Sequence, residues 1–80
     1  MTDDVITEII KQAVLEAISI AGGTQAALAE RSDLSQGAIS KYILGKAKPT
    51  GLVAKRLALA VNNKIDKSRF APHIYDGEPV

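Results

Sequence analysis

The chain has no cysteine and no tryptophan, and its aromatics are two tyrosines and one phenylalanine. Without cysteine there is no disulfide framework and no thiolate metal site. The one histidine, His73, excludes a two-histidine metal site or a Cys–His pair within a single chain. Beside Pro72, it reads as a partly exposed surface group. No apolar run approaches the roughly 20 residues that span a bilayer. Asp3 and Asp4 stand where a secretory signal needs positive charge. The expectation is a cytoplasmic protein with no membrane partner.

Catalytic chemistry is equally thin. Ser32, Ser35 and Ser40 lack a base to activate them. Gly22-Gly23 is not a phosphate loop, because no strand precedes it and no Gly-Lys-Ser/Thr follows. Asp3-Asp4 is explained as negative charge at a helix start. Neither an enzyme, nor a cofactor, nor a small-molecule substrate is expected.

What is present is alanine, leucine and isoleucine at helical spacing, with little strand-like alternation. The 80 residues suit one all-α domain of four to five helices, residues 1–75, with residues 76–80 as a flexible tail. Val5, Ile6, Ile9, Ile10, Ala13, Val14, Ala17 and Ile18 mark a long first helix from about Asp4 to Ile20, ended by Gly22-Gly23. Val14, Ala17, Ile18 and Ala21 suffice to cover two following helices. Ile6, Ile9 and Ile10 lie further out, to cover the C-terminal segment or to pair with a second subunit. After Pro49, Thr50 caps a helix from about Gly51 to Asn62 whose inner face is Leu52, Val53, Leu57 and Val61. Asn62-Asn63 suits its end, because asparagine tolerates the left-handed conformation. Asp66 caps one turn through Phe70, which Pro72 stops. Phe70, Ile74 and Tyr75 then pack back on the body.

The informative stretch is residues 24–45. Thr24 caps a first short helix running to about Arg31, with Leu28 and Ala29 buried. Ser32-Asp33-Leu34 form a turn. Ser35 caps a second helix, residues 35–44, which Gly45 ends. This is a helix-turn-helix pattern. At roughly 100° per residue, Gln36, Gly37, Ser40 and Lys41 share one side and Ala38, Ile39, Tyr42 and Ile43 the other. The first side carries no acid. Its Gln36 and Lys41 can reach base edges in a major groove, while Gly37 and Ser40 let the helix approach closely. Gln25, Ser35, Lys46 and Lys48 are the candidate phosphate contacts.

The net charge of +1 divides unevenly. Residues 1–33 carry two bases against six acids, a net −4. Residues 34–69 carry eight bases against Asp66 alone, a net +7. Asp76 and Glu78 add −2. The basic block begins with the second motif helix, as expected of a protein that presents one end to phosphates.

The stretch resembles the helix-turn-helix of phage Cro and CI repressors. More narrowly, Gly22-Gly23-Thr24-Gln25-Ala26-Ala27-Leu28-Ala29 and Ala38-Ile39-Ser40-Lys41-Tyr42-Ile43-Leu44-Gly45-Lys46 are similar to the Cro-like YdaS family, whose pattern is Gly-Gly-x-x-x-x-Leu-Ala and Val-Ser-x-Trp-x-x-Gly-Lys. The likeness extends to Ile74-Tyr75. It departs at Asp33 in a turn position often held by glycine, at Tyr42 in place of tryptophan, and at Leu44 where a polar or basic residue is common. The resemblance implies a lambda-repressor-like fold and a prophage-type repressor that binds a two-fold double-stranded DNA operator as a homodimer. A second reading also follows from the family: an antitoxin or interaction module with a toxin as partner.

Overall fold

A computed structural model describes residues 2–75. The expected tail, residues 76–80, lies outside the described residues. Six helices run in chain order: α1 (Asp3–Ala21), α2 (Gln25–Ser32), α3 (Gln36–Leu44), α4 (Gly51–Ala60), α5 (Lys67–Phe70) and α6 (Pro72–Tyr75). No strand occurs among the described residues. The fold is all-α, as the sequence leads one to expect. The difference is one extra turn at its end.

Local chemistry sets the helix starts. Thr2, Thr24, Ser35 and Thr50 are extended, and each side-chain hydroxyl accepts from a backbone N–H three residues on: Val5, Ala27, Ala38 and Val53. Each bond satisfies one of the donors that a helix start leaves without a partner. Asp66 caps α5 by accepting from the Ser68 N–H at 3.0 Å and the Ser68 hydroxyl at 2.5 Å. These bonds hold its carboxyl below the usual carboxylate range. Asp3 and Asp4 occupy the first turn of α1, where the dipole favours negative charge.

The helix ends follow the left-handed rule. Gly22 caps α1 at φ 131°, a value no side chain adopts without strain. Asn62 and Asn63, at φ 54° and 58°, close the turn after α4, as their residue type suggests.

One core serves all the helices. Ile10, Ala13, Val14 and Ala17 of α1 are buried with Leu28 of α2, Ile39 of α3, Leu57 of α4 and Phe70 of α5. The longest helix packs most extensively on α3, and also on α2, α5 and α6. Its N-terminal half is thus used within the chain: Ile10 is buried and Ile6 and Ile9 are half-buried. An ion pair between Glu16 and Arg69 ties α5 to α1.

Several expectations fail in informative ways. Leu52 is 63% exposed, not part of an inner face. The buried stripe of α4 is Ala54, Leu57 and Ala58, continued by Val61, and Leu52 lies diametrically opposite at helical spacing. Val5 is exposed, because at helical spacing it falls on the outer side of α1, away from the stripe of Ile10, Ala13, Val14 and Ala17. The turn capped by Asp66 does end at Phe70 as expected, and what the sequence does not show is that Pro72 then starts a further turn, α6. The first helical position needs no N–H, and proline's φ is already helical there. Ile74 then points outward at 47% exposure, while Pro72 is buried and Tyr75 half-buried.

Candidate nucleic-acid interface

The turn between α2 and α3 is built by three residues. Asp33 takes the left-handed conformation, φ 57° and ψ 42°, one of the few side chains that tolerates it. The Leu34 N–H donates to the Ala29 carbonyl at 2.9 Å, closing the end of α2. Ser32 is the last residue of α2 and is buried, with its hydroxyl donating to the Leu28 carbonyl at 2.6 Å. The polar side chain is therefore satisfied without water. Ala29 is 6% exposed and Leu28 fully buried, so α2 packs closely on α3.

The face of α3 divides as its spacing requires. Ile39 is fully buried and Tyr42 is 8% exposed, with Ala38 and Ile43 partly buried beside them. Burial raises the Tyr42 phenol above its ordinary range. On the opposite side Gln36, Gly37 and Lys41 are exposed and Ser40 is half-buried. The four residues assigned to base reading thus lie on one solvent-facing stripe. Leu44 lies in the middle of that stripe at 63% exposure. Its helical angle falls between those of Ser40 and Lys41, which places a leucine on the polar side where a polar or basic residue is common.

Gly37 has no internal reason to be glycine. A Cβ there would meet only Ser35 Oγ, at an ordinary 3.9 Å. Gly45 is the contrary case. Its φ is +74°, and a Cβ would come within 2.6 Å of Thr7 Cγ2. The fold demands glycine where α3 ends against α1, and does not demand it in the middle of the exposed stripe.

Around the stripe stand the other candidates. Gln25 opens α2 and is half-buried; Ser35 is exposed and caps α3. The Lys46 N–H donates to the Lys41 carbonyl at 2.9 Å, which fixes Lys46 to the end of α3. Buried Pro49 anchors the loop that carries Lys46 and Lys48. Lys48 is engaged in a way the sequence does not reveal: its Nζ lies 2.5 Å from the Asp3 carboxylate at the start of α1. Lys46 and Lys41 make no ion pair among the described residues. Both groups of the Lys48–Asp3 pair remain solvated, so the pair is weak and exchangeable.

No group of three His, Cys, Asp or Glu side chains suited to a metal ion forms among the described residues. No helix among them is long and apolar enough to cross a membrane.

A helix-turn-helix family profile matches residues 20–67, more than half of the chain. The match spans both motif helices, α4 and the approach to α5. The chain belongs to this family of Cro/CI-type helix-turn-helix proteins, a family of DNA-binding transcription regulators. Neither a curated protein nor a solved structure matches the chain.

Proposed function

We propose that this helix-turn-helix protein is a sequence-specific repressor of the Cro-like, prophage type. Residues 1–75 act as one domain, and two chains bind a two-fold operator. Within the family, the Gly22-Gly23 start and the Ser40-Lys41-Tyr42 run support a YdaS-like member. The observation that carries the reading is the exposed, acid-free stripe of α3 with a glycine the fold does not need.

In this reading Gln36 pairs with adenine and Lys41 donates to guanine O6 and N7. Gly37 and Ser40 form the close-approach surface. Leu44 supplies an apolar contact, and the thymine methyl is the apolar feature a major groove offers. Gln25, Ser35, Lys46 and Lys48 hold phosphates and carry no sequence information. A single domain this small covers few base pairs, so a two-fold site is the economical target.

Two classes of contact fail differently when removed. Gln36→Ala should cost roughly 1–3 kcal/mol on the operator and relax preference at one base pair per half-site. Lys46→Ala should weaken operator and random DNA alike and lower the salt slope by about one per subunit. Lys48→Ala should act in the same sense but more weakly, because Asp3 already offsets part of its charge. Selection from a random duplex pool followed by salt titrations checks all three. Equal weakening of both DNAs by Gln36→Ala, with base preference intact, would remove this face from the reading.

Gly37→Ala should move stability and binding in opposite directions. Alanine in a helix is favoured over glycine by roughly 0.5–1 kcal/mol, and the added methyl meets only Ser35 Oγ, at ordinary contact distance. The melting temperature should rise while operator affinity falls. Unchanged or improved affinity would show that DNA does not approach α3 at this point.

A further inference from the structure

The two largest exposures among the hydrophobic residues of α4 are on one line. Leu52 and Leu59 are 63% and 65% exposed and sit seven residues apart, which places them on the same face about two turns from each other. Lys55 and Arg56 lie between them on that face, both exposed. Beyond Leu59 the surface dips into an open hollow of about 260 Å³ lined by Lys55, Ala58, Leu59, Asn63, Asp66 and Lys67. Isolated exposed leucines are ordinary, but two in register beside a concavity form an unpartnered helix face.

Charge decides what fits there. Two copies of this face set against each other around a two-fold axis would bring Lys55 and Arg56 of both chains together. The face therefore suits an acidic partner. The chain carries one itself. On the outer side of α1, Asp4, Glu8, Gln12 and Leu15 follow one line and are exposed, with Val5 beside them at 47%. Lys11 lies half-buried at its margin. Asp3 and Glu16 are occupied by Lys48 and Arg69, whereas neither Asp4 nor Glu8 makes an ion pair among the described residues. On α1, Val5 and Leu15 bracket Glu8 in sequence, as Leu52 and Leu59 bracket Lys55 and Arg56 on α4.

We propose that the outer face of α1 in one copy docks on the outer face of α4 in the next, apolar on apolar and acid on base. The contact joins two different surfaces, so each pair leaves one free face at either end and the arrangement repeats. It is distinct from the two-fold contact of an operator dimer, and lines chains up side by side. A single helix crossing buries a small area, so the contact is weak in free solution and strengthens when a shared scaffold holds the chains together.

The test uses the full chain alone, without DNA, so its failure leaves the DNA-binding reading untouched. Sedimentation equilibrium and amide chemical shifts are followed up to the millimolar range. Wild type should show mass rising with concentration and falling with salt, with shifts moving together on the outer faces of α1 and α4. Lys55→Glu with Arg56→Glu should abolish this, as should Asp4→Lys with Glu8→Lys. An equimolar mixture of the two variants should restore it, since each then meets an opposite charge on the other. Leu59→Ser, which alters no charge and no buried group, should weaken it at least several-fold. A wild type that stays monomeric at millimolar concentration overturns the proposal. So does a mixture that fails to recover, or association of the Lys55→Glu and Arg56→Glu variant as tight as wild type, which would show that acid-on-base docking of α1 on α4 is not the contact.

Discussion

Phe70→Ala should destabilise the domain by about 3–5 kcal/mol. Phe70 is the only phenylalanine in the chain and the largest of its fully buried side chains. It belongs to α5, a helix of four residues that no intrinsic propensity would sustain. That turn exists because Phe70 enters the core that α1 and α4 share, and because Asp66 caps it. Small domains have little stability to spare, so the loss approaches the whole margin. At roughly 4–8 °C per kcal/mol for a chain of this size, the melting temperature should fall by more than about 12 °C. Thermal and urea unfolding followed by circular dichroism measure it. A fall of only a few degrees would mean that the C-terminal turns are attached by something other than Phe70.

The parts of this fold legible in the sequence are those decided within a few residues. Thr24, Ser35, Thr50 and Asp66 could be read as caps because a cap is one side chain and one backbone N–H three positions away or fewer. Asp33, Asn62 and Asn63 could be read as left-handed for a similar reason. Leu52 could not be placed from the sequence, since Leu52 and Val53 are adjacent and either phase of α4 buries apolar residues. Only the packing of Ala54 and Ala58 against the body decides between them. Pro72 was ambiguous in kind: the same residue ends one helix and suits the first position of another.

The candidate interface was legible in outline because one helix carries most of it, and helical spacing alone sorts Gln36, Gly37, Ser40 and Lys41 from Ile39 and Tyr42. What local pattern could not supply were contacts between distant segments. Asp3 on Lys48 and Glu16 on Arg69 join residues far apart in the chain, and nothing near any of the four announces the partner. These pairs matter for function as much as for packing. They engage two bases of the basic block, Lys48 and Arg69, and leave Lys41 and Lys46 as the cations beside α3 without an ion-pair partner among the described residues.

Ile39→Ala should cost roughly 2–4 kcal/mol of stability, and should leave the reading of DNA unchanged. Ile39 is fully buried, and α3 makes its largest contact with α1 across the face that holds it. Removing three carbons there leaves a cavity between two helices that cannot close without moving the α3 backbone, which the Ser35 and Gly45 caps hold at both ends. The exposed stripe keeps its side chains, so base preference and the salt slope should match wild type wherever the protein is folded. Apparent affinity should drop only by the folded fraction, and added operator should recover the melting temperature by mass action. Gln36→Ala, one turn earlier and exposed where Ile39 is buried, should show the reverse: an unchanged melting temperature and altered base preference. Measuring both variants for stability and for selected sequence settles the phase of α3. A wild-type melting temperature for Ile39→Ala, together with a changed base preference, would mean that the helix presents its other side to DNA.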